Sequence, residues 1–148
     1  MFRDSSISLE TIIRRTLDAV LADFHAAVAG IEDPAARLRN ATRVYALRHA
    51  THRREALVVN RDTTSLTEAG STATRELRRE HERAFRAVIA DGVERGEFSV
   101  ATPALASFAI LEMTVSIARW FREDGPRTAE QVADEFAEFG LRVVRYCP

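Results

Sequence analysis

A chain of 148 residues, 46% hydrophobic and 29% charged, is long enough to bury one core without a metal or a disulfide to hold it together. Its 21 Lys and Arg are offset by 22 Asp and Glu, and the net charge of −1 removes the usual electrostatic argument for a nucleic-acid-binding protein. Cys147 is the only cysteine, so no intrachain disulfide forms; with no apolar signal-peptide core in the first eight residues, the expected location is the reducing cytoplasm.

The first helix is expected to start after Ser8, a suitable N-cap, with Ile7 and Ile12 at the spacing of a hydrophobic staple. Its apolar stripe is Leu9, Ile13, Leu17, Val20, Leu21, Phe24 and Val28, and Gly30 closes it near Ala29. Asp33-Pro34 opens a second helix, expected to reach about Arg54. Its inward face, Leu38, Thr42, Tyr45, His49 and His52, is polar for a core, while Val44, Leu47 and Thr51 lie on another side. Glu55–Asn60 can continue as a short helix before Arg61-Asp62-Thr63-Thr64-Ser65, and Gly70-Ser71 marks a further irregularity. A mobile connection is expected between Arg61 and Ser71. A long helix then runs from about Thr72 to Arg95, with Leu77, His81, Ala84, Phe85, Val88, Ile89 and Gly92 on its apolar face. Gly96 suits its left-handed end, and Phe98 can fold back over it.

Thr102-Pro103 starts the helix that ends near Phe121. Ile110, Met113, Ile117, Trp120 and Phe121 fall on one side of it, and Ala104, Phe108, Leu111, Val115 and Ala118 on the other. A helix apolar on both sides needs cover on both, and a second copy of the chain is the economical supplier of the second. A membrane span is disfavoured, because Glu112 would sit at mid-bilayer and the run is barely long enough. After Glu123-Asp124-Gly125-Pro126, Thr128 caps a last helix of about Ala129 to Arg145. One of its stripes is large, Val132, Phe136, Phe139 and Val143; the neighbouring stripe is small, Ala133, Ala137, Gly140 and Val144, and admits another helix at close range. No period-2 strand occurs anywhere. The expected fold is an all-α, antiparallel bundle of five to six helices forming a single domain over residues 1–148.

From Phe85 onward the sequence F-R-A-V-I-A-D-G-V-E-R-G-E-F, then T-P-A-L-A-S-F-A-I-L-E-M, then R-W-F-R-E-D-G-P-R-T-A-E-Q-V-A-D-E-F resembles the C-terminal ligand-binding and dimerisation domain of the TetR/AcrR family of bacterial transcription regulators. The resemblance in helix order extends back to residue 8. It implies a homodimer formed by the last two long helices of each subunit as a four-helix bundle. It also implies a pocket for a small, largely hydrophobic effector, whose binding relieves repression. DNA contact in such proteins belongs to an N-terminal helix-turn-helix head, and this chain starts where that head would end, so DNA binding is expected only through an absent N-terminal domain.

The polar inward face of the second helix, which would leave an ordinary core underfilled, suggests a ligand cavity lined by Tyr45, His49, Phe85, Met113, Ile117 and Trp120. The dimer seam is expected at Leu111, Val115, Ala118, Ala137, Gly140 and Val144, with the exchange of core and seam faces left open. His49-x-x-His52 has a spacing that binds metal if His25 or His81 converges on it, but no Cys or Asp pattern accompanies the pair, and neither metal nor cofactor is expected. Glu112 and Arg119, joined along one seam by Ser116, could be solvated, bridge subunits or hold a polar ligand group. No nucleophile elbow, phosphate-cradling glycine loop or ligand cluster supports an enzyme. The alternative to an effector domain is a ligand-free helical dimerisation scaffold.

Overall fold

The computed structural model describes residues 8–60 and 68–148, and these form six α-helices with no strand among them. They are α1 Leu9–Val28, α2 Pro34–Thr51, α3 Arg53–Val59, α4 Glu68–Glu94, α5 Pro103–Trp120 and α6 Ala129–Val143. The proposed staple residue Ile7 and the stretch 61–67 of the expected mobile connection lie outside the described residues. Positions 68–71 are already α4, so Gly70-Ser71 lies within the helix and does not interrupt it. A lone glycine costs a helix only about 1 kcal/mol, less than its neighbours recover by continuing the hydrogen-bond ladder.

Local chemistry sets most helix starts. Ser8 Oγ accepts from the Thr11 amide at 3.2 Å, Asp33 Oδ2 accepts from the Ala36 amide at 3.0 Å, and Thr128 makes a full capping box with Gln131. Thr102 occupies the N-cap of α5 without a side-chain bond, leaving Pro103 to fix the start. Gly30 and Gly96 hold φ of 73° and 77°, the left-handed values that stop α1 and α4. Phe98 does fold back over the end of α4, and its ring occupies the space that a Cβ on Gly92 would need.

The second helix is shorter than expected. It breaks at His52, whose φ of −122° and ψ of 52° are not helical, and α3 leaves in a new direction. Thr51 contributes by turning its hydroxyl back onto the Leu47 carbonyl at 2.9 Å, while Arg53 Nε donates to the Ala118 carbonyl at 2.9 Å and ties α3 to α5.

The central element is α2, which packs against α1, α3, α4, α5 and α6. Surrounded in this way, it carries small and polar residues on its buried face: Ala35, Ala41, Thr42, Ala46 and Ala50 beside Leu38 and Tyr45. Its partner at closest range is α6. A Cβ on Gly140 would stand 3.0 Å from Thr42 Oγ1, so the small stripe of α6 admits the chain's own α2. The main core gathers Phe24, Leu38, Tyr45, Phe85, Ile89 and Ile110, and a second cluster joins Ala46, Ile117, Phe121 and Val132.

Three features of the expected dimer seam are corrected by this packing. Ala118, Ala137, Gly140 and Val144 are buried within the chain's own core; Val144 is fully enclosed, and its carbonyl accepts from the Ser99 amide at 2.9 Å. Leu111 and Val115 are half-buried beside a cavity described below. The exposed apolar residues on the outer side of α5 and α6 are instead Leu105, Trp120 and Phe139, with Leu105 64% and Trp120 48% exposed and Met113 and Phe136 half-buried.

Candidate functional site

At about 100° per residue, the apolar residues of α5 fall in three arcs rather than two. Ile110, Thr114, Ile117 and Phe121 are buried, Trp120 looks outward with Met113 half-buried against the edge of the main core, and Phe108, Leu111 and Val115 line the cavity, as does the buried Thr114. This cavity, of about 180 Å³, lies between α5 and the helices α1 to α4. Leu17 and Val20 of α1, Ala56 and Val59 of α3, and Leu111 and Val115 of α5 supply its apolar walls. Tyr45 and His49 of α2 and His81 of α4 supply polar groups, and Thr16, Arg48, His52, Asn60, Arg78, Glu82, Phe108, Glu112 and Thr114 complete the lining.

The polar wall is a connected chain of hydrogen bonds. His81 is buried, and its Nε2 lies 2.8 Å from the Leu17 carbonyl. A carbonyl only accepts, so Nε2 carries the proton and Nδ1 is left as an acceptor. The Tyr45 hydroxyl lies 2.8 Å from that Nδ1 and donates to it. On the next turn of α2, His49 Nδ1 donates to the Tyr45 backbone carbonyl at 2.7 Å. Burial favours the uncharged form throughout. It pushes the Tyr45 hydroxyl well above its ordinary value and lowers both imidazoles, with the neighbouring Arg48 charge adding to the effect at His49. Burial also lowers Arg78, which donates to the Val59 carbonyl at the end of α3. Arg48 is paired with Asp23 at 2.8 Å.

Of the six residues expected to line a ligand site, Tyr45 and His49 line this cavity. Phe85 stands behind the wall, fully buried, its ring 5.6 Å from that of Tyr45. Ile117 belongs to the second core cluster, Met113 is half-buried against the edge of the main core, and Trp120 lies on the outward arc of α5. Trp120 packs there on Phe136, centroids 6.1 Å apart, and donates to Ser116 Oγ at 3.1 Å. Ser116 therefore joins Trp120 and the Met113 carbonyl, not Glu112 to Arg119. Leu17, Val20, Val59, Arg78 and His81 were not foreseen as wall residues. The signal for His81 was a histidine inside the apolar stripe of α4, but only the tertiary structure shows what it faces.

His25 stacks edge-on against Phe24 and lies outside the cavity, whereas His49, His52 and His81 all line it. No group of three or more His, Cys, Asp or Glu suited to a metal exists among the described residues. Nor is any described helix long and apolar enough to cross a membrane.

Residues 32–144 match the family described as tetracyclin repressor-like, C-terminal domain. No curated protein matches the sequence. Among solved structures, a bacterial regulatory protein in the tetR family from Rhodococcus RHA1 aligns with a TM-score of 0.87 and 25% identity, covering 95% of this chain and 74% of its own. The TetR family transcriptional regulator PfmR from Thermus thermophilus is 32% identical, with a TM-score of 0.81 and coverage of 90% and 73%. AibR, solved in complex with isovaleryl coenzyme A and operator DNA, shares the fold at a TM-score of 0.79 and 22% identity, over 88% of this chain and 71% of its own.

Proposed function

This chain belongs to the family of tetracyclin repressor-like C-terminal domains, found in transcriptional regulators and not in enzymes, and from that premise we propose that it is the effector-binding and dimerisation domain of a cytoplasmic repressor. The observation that carries the reading is the cavity lined by five helices, with apolar walls and a few converging polar groups, the usual make-up of a small-molecule site. A small hydrophobic effector held there touches α1, α2, α3, α4 and α5 together. Its occupancy therefore biases how those helices sit against one another, which is the lever needed to control DNA binding by a helix-turn-helix head. AibR, with an acyl-CoA and operator DNA in one structure, supports such a coupling by analogy of fold.

The test is calorimetric titration of the purified chain with a panel of small hydrophobic compounds, repeated on Val115→Trp, which fills the cavity from α5. Saturable binding that the substitution abolishes is the expected result. Failure of every compound to bind would return the chain to the ligand-free scaffold.

A second copy of the chain is the proposed cover for the outward face of α5 and α6. Trp120, Phe136 and Phe139 form a run of ring contacts across α5 and α6, with Trp120, Phe139 and Leu105 exposed, and an isologous contact would bury this face on each subunit. Sedimentation is expected to show a dimer at micromolar concentration, and a clean monomer would remove this part of the reading.

A further inference from the structure

We propose that the cavity selects a small, neutral molecule bearing a hydroxyl on an apolar frame, a phenol or alcohol, by offering it the lone pairs of His49 Nε2 and Tyr45 Oη. The inference rests on the effector-pocket reading above and names the ligand class for that pocket.

It follows from where the protons are. The Leu17 carbonyl fixes the proton of His81 on Nε2, so Nδ1 takes the Tyr45 hydroxyl proton and Tyr45 Oη has only lone pairs left to offer. The Tyr45 carbonyl likewise fixes the proton of His49 on Nδ1. Its Nε2 has no partner among the described residues, and burial keeps the ring uncharged. On the side chains of Tyr45, His49 and His81, the polar atoms left over are therefore acceptors, while Thr16 and Asn60 add a hydroxyl and an amide elsewhere in the lining. A carboxylate placed against those acceptors would oppose lone pair to lone pair, whereas a hydroxyl donates to either.

The cationic groups nearby do not reverse that preference. Arg48 is paired with Asp23 through Nη1, its Nε is buried without a hydrogen-bond partner, and Arg78 donates to the Val59 carbonyl. Glu82 and Glu112 also line the cavity and form no ion pair among the described residues, so they add negative potential that disfavours an acid. The volume of about 180 Å³ sets the scale of the ligand. A dry engineered cavity of about 150 Å³ accepts benzene, so one substituted ring or a short branched chain fits here.

The experiment is isothermal titration calorimetry of the full chain with four single-ring probes of similar shape: phenol, anisole, toluene and benzoate. Phenol is expected to bind about ten-fold more tightly than anisole, the worth of one hydrogen bond, with benzoate weakest. In His49→Leu the phenol advantage should shrink to within about three-fold while toluene binding persists. In the unsubstituted protein, the ¹⁵N resonance of His49 Nε2 should move on adding phenol and not on adding anisole. Equal affinity for phenol and anisole, tighter binding of benzoate, or an unmoved Nε2 resonance in the phenol complex would overturn the inference and leave the pocket in place. Failure of all four probes to bind would overturn it together with the effector-pocket reading.

Discussion

At the scale of single residues, the Tyr45–His81 pair shows how a polar contact can be built into an apolar core without an unpaired proton. Removing one partner exposes the cost. Tyr45→Phe leaves His81 Nδ1 buried with no donor, and urea unfolding is expected to show a loss of about 1–3 kcal/mol. The imidazoles also make stability depend on pH. The unfolded chain protonates histidine near pH 6.5, about its ordinary pKa, whereas burial holds His49 and His81 lower in the folded state. Below about pH 6.5 the unfolded state therefore takes up more protons, so stability is full above that value and falls with pH toward the folded pKa values. A melting temperature that drops between pH 7 and pH 5 in the native chain, and drops less in His81→Gln, is the expected outcome; identical profiles would contradict it.

At the scale of elements, the contact between α2 and α6 rests on the absence of a side chain. Gly140→Val drives methyl groups into Thr42 and should cost about 1–3 kcal/mol by overpacking. Thr42→Ala in the same chain should restore part of that loss, and a double-mutant cycle reads the coupling directly. Arg39–Glu138 and Arg43–Asp134 bridge the same two helices at the surface, where exposed pairs add little. This contact also shows how far the sequence could be read. Caps and left-handed glycines at Ser8, Asp33-Pro34, Gly96 and Thr128 are local signals, and the helix ends they mark stand where expected. The stripe Ala133, Ala137, Gly140 and Val144 is equally plain as a place for close approach, but its spacing is the same whether the approaching helix comes from this chain or another. For the same reason the two faces assigned to α5 became three arcs, and Trp120 and Met113 left the expected pocket while Leu111 and Val115 joined it. The polar face of α2 was legible as a site because Tyr45 and His49 demanded partners. His81 and Leu17, which complete that wall, lie 36 residues from Tyr45 and 64 residues from His81 in the chain, distances at which a periodic pattern is silent.

At the scale of the whole molecule, the two proposed functions fall on opposite flanks of one helix. The flank of α5 that carries Leu111 and Val115 closes the cavity, and the flank that carries Trp120 joins Phe136 and Phe139 on the outside. The two are expected to separate by mutation. Phe139→Glu should yield a monomer by sedimentation that still binds the cavity ligand, whereas Val115→Trp should yield a dimer that does not; loss of both properties in either variant would show that the flanks are not independent. The position of Trp120, the only tryptophan, gives the molecule an optical property of its own. Its indole is half open to solvent and remote from the cavity wall, so emission should stay nearly unchanged when an effector binds. Dilution should instead shift the emission to the red as subunits part and water reaches the ring, which makes intrinsic fluorescence a gauge of self-association.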